Sequence, residues 1–235
     1  MPITKTDFMR GLQCEKMLWL DAHAPQYKII PPQVQEKLDK GNEFGDKAMA
    51  IFGEFVETTA KKPDGKLDFA QMLSNTQAYI ARGQRVICEA AFTWYGNYCA
   101  ADILKKDGDG YALYEVKNSP AVRKEFITDL GFQRLILRKC GIEITSSYIV
   151  LPAVDGQTEG ELLMHEEDKY RIVDVTKAAK VMERIAEKRI FELGKLKRKD
   201  APLPTLAVGE QCDAPYRCWY YEYCHGVKGQ ENQEE

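Results

Sequence analysis

Hydrophobic positions recur with a helical period along the first third of the chain and then give way to runs with strand character. Residues 6–20 predict a first helix that starts near Thr6 or Asp7 and carries Cys14 in its middle. Pro31-Pro32 opens a second helix reaching about Phe52, since proline is tolerated in a first helical turn. A third, 67–81, is closed by Gly83. The first strand is predicted at 86–95, rich in β-branched, apolar and aromatic residues. Strands at 98–105 and 111–117 follow, and Lys106-Asp107-Gly108-Asp109-Gly110 between them is a strong hairpin signal. Next come a helix at 122–140 ended by Gly141, an apolar strand at 144–151 and a short strand at 170–173. Asp174 caps a long amphipathic helix to about Leu193. Pro202 and Pro204 mark a linker, 212–224 is dense in cysteine and aromatics, and 230–235 is a polar, frayed end. There is no internal repeat. This order predicts an α/β fold, a mixed sheet flanked by helices. It also divides one domain into a helical arm (1–83), a core (84–200) and a linker with a cysteine-rich tail (201–235).

Composition supports a folded core: 44% of the 235 residues are hydrophobic and 29% charged. No apolar run approaches the roughly 20 residues that span a bilayer, so no membrane partner is expected. Met1-Pro2-Ile3-Thr4-Lys5 carries no signal-peptide pattern, which predicts a cytoplasmic location. The net charge of −3 argues mildly against nucleic acid, so any DNA contact needs a local patch. Three basic groups are available: Lys195, Lys197, Arg198 and Lys199; Arg134, Arg138 and Lys139; and Lys61 with Lys62. Each also reads as a solvated face.

The hairpin carries the first candidate chemistry. A two-residue loop at Gly108-Asp109 sets Asp102 directly opposite Glu115. Moving that loop by one position shifts the pairing by two and keeps the face, whereas a three-residue loop breaks it. Glu115 and Lys117 are two apart on one strand and share a face. Around them stand Ala100, Ala101, Ile103, Leu104, Leu113, Tyr114 and Val116. Charges in such strands are costly unless paired or metal-bound. The alternative is a solvated face with a cross-strand ion pair. On the next helix Phe126, Leu130, Gln133, Leu137 and Cys140 form one stripe. A glutamine in that stripe is either buried and partnered by the Asp102–Glu115–Lys117 group or lies at its edge.

Seven cysteines, an odd number without a secretion signal, argue against a disulfide framework and leave free buried thiols or a metal site. Cys88, Cys99 and Cys140 fall in apolar segments and read as core thiols. Cys212, Cys218 and Cys224 are evenly spaced among Tyr216, Trp219, Tyr220, Tyr221 and Tyr223. Structural zinc favours closer cysteine pairs than this tail has. Iron–sulfur clusters need four thiolates and tolerate varied spacing. His23, His165 and His225 suit no metal constellation.

Ala100-Ala101-Asp102, Glu115-Val116-Lys117 and Gln133, in that order, resemble the signature of PD-(D/E)XK nucleases. The stretch from Cys88-Glu89-Ala90-Ala91-Phe92 to Glu115-Val116-Lys117-Asn118-Ser119 is similar to the RecB-like branch, which includes the CRISPR-associated iron–sulfur exonucleases. With the terminal cysteines, the resemblance covers nearly the whole chain. It implies a restriction-endonuclease-like sheet, with a helical N-terminal arm and an iron–sulfur-bound C-terminal tail. It further implies Mg²⁺ or Mn²⁺ held by Asp102, Glu115 and the Val116 carbonyl, with Lys117 and Gln133 completing the catalytic set. It assigns Cys14, Cys212, Cys218 and Cys224 to a 4Fe–4S cluster, although the family tail more often has a shorter first gap. The family places a metal-binding histidine in a Gly-x-x-x-His pattern, whereas this chain has Gly41-Asn42-Glu43-Phe44-Gly45. Glu43 is the candidate replacement ligand; its alternative is a solvated helix charge. Glu89 is a further acidic candidate or a structural partner. The implied activity is metal-dependent hydrolysis of DNA, exonucleolytic on single-stranded ends. Implied partners are DNA and proteins of CRISPR adaptation or DNA repair. Two rivals stand beside it: a nuclease-fold module that only binds DNA or protein, and an iron–sulfur redox sensor.

Overall fold

The computed structural model describes residues 1–154, 159–165 and 168–226, so the frayed end expected at 230–235 lies outside the described residues. The chain forms two compact units, one from Met1–Lys37 with Arg189–Glu235, the other from Leu38–Lys188. The divisions expected at 83/84 and 200/201 differ from these: residues 38–83 belong with the sheet, and both chain ends belong to the other unit.

In the terminal unit, α1 (Lys5–Gln13) and α2 (Glu15–His23) replace the single helix expected at 6–20. Thr4 and Asp7 form a reciprocal capping box that satisfies the first N–H groups of α1. The helix breaks at Cys14, whose φ of −160° and ψ of 113° are extended. The tail holds α7 (Tyr221–His225), too short for any period to announce it. Met17, Leu20 and Ala24 pack with Cys218 and Tyr220 to form the core of this unit. Asp21 accepts hydrogen bonds from Arg10 (2.6 Å), Lys28 (2.8 Å) and the Tyr220 hydroxyl (2.9 Å). Arg10 and Lys28 also lie over the Trp219 ring, so one carboxylate organises two cation–π contacts.

The larger unit is a seven-stranded mixed sheet flanked by helices, in the order β1-β2-β3-β4-β5-β7-β6. Its strands are β1 (Val56–Glu57), β2 (Val86–Trp94), β3 (Asn97–Asp107), β4 (Gly110–Val116), β5 (Ile144–Pro152), β6 (Glu161–His165) and β7 (Asp168–Asp174). The β1–β2 and β4–β5 pairs are parallel and the rest antiparallel. Strands β1 and β6 were not expected from sequence. The helices are α3 (Pro32–Ala48), α4 (Phe69–Ala81), α5 (Lys124–Lys139) and α6 (Thr176–Lys195). Asp68 caps α4, and Asp174 accepts from the Thr176 N–H at the start of α6 (2.8 Å).

Side-chain alternation assigns the two faces of the sheet. Val86, Cys88, Ile103, Tyr114, Val116, Val150 and Tyr170 pack with Ala48, Met49 and Ile51 at the end of α3 and beyond it. The opposite face carries Asp102, Glu115 and Ser147 towards α5. Helix α5 crosses α6 closely at Gly131, where an added Cβ would lie 2.5 Å from the Met182 Cβ and 2.6 Å from its backbone carbon. Backbone cannot yield as a flexible side chain can. Gly131→Ala should therefore cost about 1–3 kcal/mol, read as a lowered urea midpoint at unchanged m-value.

Candidate functional site

The hairpin fixes the site. Asp107 pairs with Gly110 and Ile103 with Tyr114, so the loop is the two residues Gly108-Asp109 and the next row sets Asp102 against Glu115. On β2, Cys88 pairs with Ile103 and Ala90 with Ala101, which puts Glu89 on that same row. Both sides of Asp102 are irregular there. Glu89 has a φ of +54°, a left-handed conformation costing a non-glycine residue about 1–3 kcal/mol. The Val116 N–H is donated to Asp102 Oδ2 at 2.7 Å. Such distortion is retained where surrounding structure enforces it, and it concentrates at functional sites. Burial first, then the nearby acids Glu89, Glu57 and Asp102, push the Cys88 thiol up to about 12.

Glu115 is fully buried, as is Gln133, and the two are joined in a closed ring. Lys117 Nζ donates to Glu115 Oε1 and, at 3.3 Å, to Asp129 Oδ2. Gln133 Nε2 donates to Glu115 Oε2 and, at 2.9 Å, to Asp129 Oδ1. Each carboxylate thus uses one oxygen for the cation and the other for the amide. Glutamine suits this place because its two amide hydrogens serve both acids without adding charge. Its carbonyl oxygen, Oε1, is buried without a hydrogen-bond partner. Only Lys117 reaches towards solvent, its side chain 27% exposed.

The structure therefore brings Asp102, Glu115, Val116, Lys117 and Gln133 together. It does not bring Glu43 with them. Phe44 turns inward onto Tyr170, which directs its neighbour Glu43 outward. Glu43 is 71% exposed and pairs with Lys47 at 3.4 Å, an ordinary solvated helix charge. Asp129, missed in sequence, completes the ring from one turn before Gln133. Its signal was the i, i+4 spacing from an already suspected glutamine. Arg171 was missed too. It is 3% exposed, donates to the Pro120 carbonyl (3.0 Å) and so braces the turn that follows Lys117.

Hard carboxylate oxygens suit Mg²⁺ or Mn²⁺. Among the described residues no group of three or more His, Cys, Asp or Glu is arranged to hold a single ion.

In the terminal unit, Cys14, Cys212, Cys218 and Cys224 line one pocket with Met17, Leu20 and other apolar groups. The break at Cys14 turns its backbone out of the helical path, and no glycine or proline is needed to explain it. Cys218 accepts the Tyr220 N–H (3.4 Å), and its own N–H is donated to the Cys212 carbonyl (2.8 Å). Burial raises the Cys218 thiol to about 11, the Tyr220 N–H opposes this, and Cys14, Cys224 and Cys212 add to it. Cys224 is also raised, by burial and then by Cys14 and Cys212, against the pull of Lys16. Four soft sulfurs lining one pocket are the donor set that an iron–sulfur cluster uses. Of the three expected core thiols, Cys88 and Cys99 are buried, but Cys140 is exposed at the end of α5.

Two basic clusters are spent on ion pairs. Arg134, Arg138 and Lys139 pair with Glu183 and Glu187 of α6, and Lys195, Lys197 and Arg198 pair with Glu192, Asp7 and Asp200. No helix among the described residues is long and apolar enough to cross a membrane. No protein-family model matches the chain, and no curated protein matches it in sequence.

Proposed function

We propose that this chain is a metal-dependent deoxyribonuclease of the PD-(D/E)XK type, related to the RecB-like iron–sulfur exonucleases and built on a restriction-endonuclease-like core. The observation that carries the reading is the ring around buried Glu115, lying beside Asp102 on the distorted row of the sheet. Burying two carboxylates and an amide behind one lysine only to tie a hairpin is expensive. A surface ion pair would do that more cheaply.

In this reading Asp102 and Glu115 hold Mg²⁺ or Mn²⁺, which when bound polarises the scissile phosphate and acidifies water at the site. The protein supplies the rest. Lys117, partly exposed, places its ammonium against the charge that develops on the phosphate oxygens. Gln133 holds Glu115 in place and Asp129 restrains Lys117 beside it. Arg123 and Lys124 stand exposed at the start of α5, the helix that carries Asp129 and Gln133, and offer local contacts to a phosphate backbone. The four cysteines hold a structural 4Fe–4S cluster.

The test is digestion of end-labelled single-stranded and duplex DNA by purified protein with Mn²⁺, Mg²⁺ or EDTA. Mononucleotide release from single-stranded ends that needs the metal is expected. Binding of DNA without cleavage under any metal would replace the nuclease reading with that of a binding module.

A further inference from the structure

The ring poses a question that the nuclease reading leaves open. Glu115 is asked to hold a divalent cation, yet one of its oxygens already accepts from Lys117 and the other from Gln133. A cation at Glu115 must compete with the Lys117 ammonium, and the two like charges repel. If Lys117 were simply expelled into water, the site would lose the group placed against the phosphate. Asp129 offers the alternative. It is 6% exposed, sits on α5 opposite the strand, and already accepts from Lys117 at 3.3 Å. Its other oxygen is fixed by the same Gln133 amide that steadies Glu115.

We propose that Asp129 is a positioning residue: the anchor that retains Lys117 when a divalent cation takes Glu115. The inference rests on the metal-dependent reading above. A second feature points the same way. Gln133 Oε1 is buried and has no donor, although the amide is otherwise fully engaged. A buried acceptor of this kind calls for a donor from outside the chain. Water brought in with a hydrated cation supplies one. The ring is thus closed while Lys117 bridges both acids, and in the second arrangement Lys117 stays on Asp129 while Glu115 takes the cation.

The test is Mn²⁺ binding to the full chain without DNA, measured by the electron paramagnetic resonance of free Mn²⁺, in four proteins. These are the wild type, Asp129→Asn, Lys117→Met and the double variant. Asp129→Asn should weaken Mn²⁺ binding about tenfold, the size expected for one partner in a coupled network. The decisive comparison is the Lys117→Met background. There Asp129→Asn should change Mn²⁺ affinity less than twofold, because the lysine it restrains is gone. An equal loss in both backgrounds would overturn the proposal, since it would make Asp129 a direct ligand or a remote charge. Failure of the wild type to bind Mn²⁺ at all would overturn the metal reading beneath it, a distinguishable result. Should a variant not fold, a crystal structure of the Mn²⁺-loaded wild type decides: Lys117 on Asp129 and off Glu115 supports the anchor. Lys117 still on Glu115, or Asp129 on the ion, defeats it.

Discussion

Asp102→Asn should lose metal-dependent cleavage by at least a hundred- to a thousand-fold, the range seen when one charge-stabilising group is removed from an active site. Stability should barely move. Asparagine keeps an oxygen where Asp102 Oδ2 accepts the Val116 N–H, so the strand junction stays satisfied. Asp102→Ala should be as inactive but less stable by about 1–2 kcal/mol, because that N–H loses its partner in a part-buried place. Sequence reasoning alone expects alanine at 102 or 117 to spare the fold. The ring changes that expectation for Lys117. Lys117→Ala leaves Glu115, fully buried, and Asp129, 6% exposed, facing each other without their cation. Breaking a buried pair in this way costs about 3–5 kcal/mol. Kinetics and urea melts on the three variants separate the roles. An Asp102→Asn protein with full Mn²⁺-dependent activity would remove Asp102 from the site.

The shared face of Asp102 and Glu115 was legible because any two-residue turn in this glycine-containing loop keeps it, and the structure has the turn at Gly108-Asp109. Gln133 was legible as a polar break in an apolar stripe, and it is buried. Other features were hidden for identifiable reasons. Strand β1 has two residues, too few for alternation, and β6 has three apolar residues in a row, Leu162, Leu163 and Met164, with no alternation to mark a strand. The break at Cys14 has no proline or glycine to mark it. Asp129 looks like any helix acid until the fold sets it beside Lys117. The basic run Arg134, Arg138 and Lys139 looks available for nucleic acid only while Glu183 and Glu187 of α6 are out of view. The roles of Asp129 and of the basic run depend on contacts between distant segments, which periodicity does not encode.

The charge balance can also be located with the fold in hand. A net charge of −3 weighs against nucleic acid when spread evenly. Three buried acids, Glu115, Asp129 and Glu183, are matched by Lys117, Arg134 and Arg138, so the balance at the surface stays at −3 and only a local patch can offset it. What a polyanion meets is the local surface, and at the start of α5 that surface is Arg123 and Lys124. Contacts with so few phosphates would give weak DNA binding with a shallow salt dependence.

Cys14→Ala should strip iron from the protein and lower its melting temperature by about 10 °C. The wild type, prepared anaerobically, should be brown with about four irons per chain, as Cys₄ ligation of 4Fe–4S requires. Cys14 lies at the junction of α1 and α2, whereas Cys212, Cys218 and Cys224 lie in the tail, and the pocket gathers all four. A shared cluster closes a loop of nearly the whole chain. By analogy with a disulfide, such closure contributes roughly 5 kcal/mol before native strain is subtracted. At about 2–4 °C per kcal/mol for a chain of this size, the shift follows. The tail keeps some hold without iron, because Cys218 and Tyr220 pack on Met17 and Leu20 and the Tyr220 hydroxyl donates to Asp21. The variant should therefore loosen at its C-terminus, seen as faster proteolysis of the tail, without unfolding outright. Cys88→Ala is the control. It opens a space in the core beside Met49 and should lose stability while keeping iron and colour. One zinc and no iron in wild type made with ample iron would end the cluster assignment, and full iron in Cys14→Ala would remove Cys14 from the ligands and the long-loop staple with it.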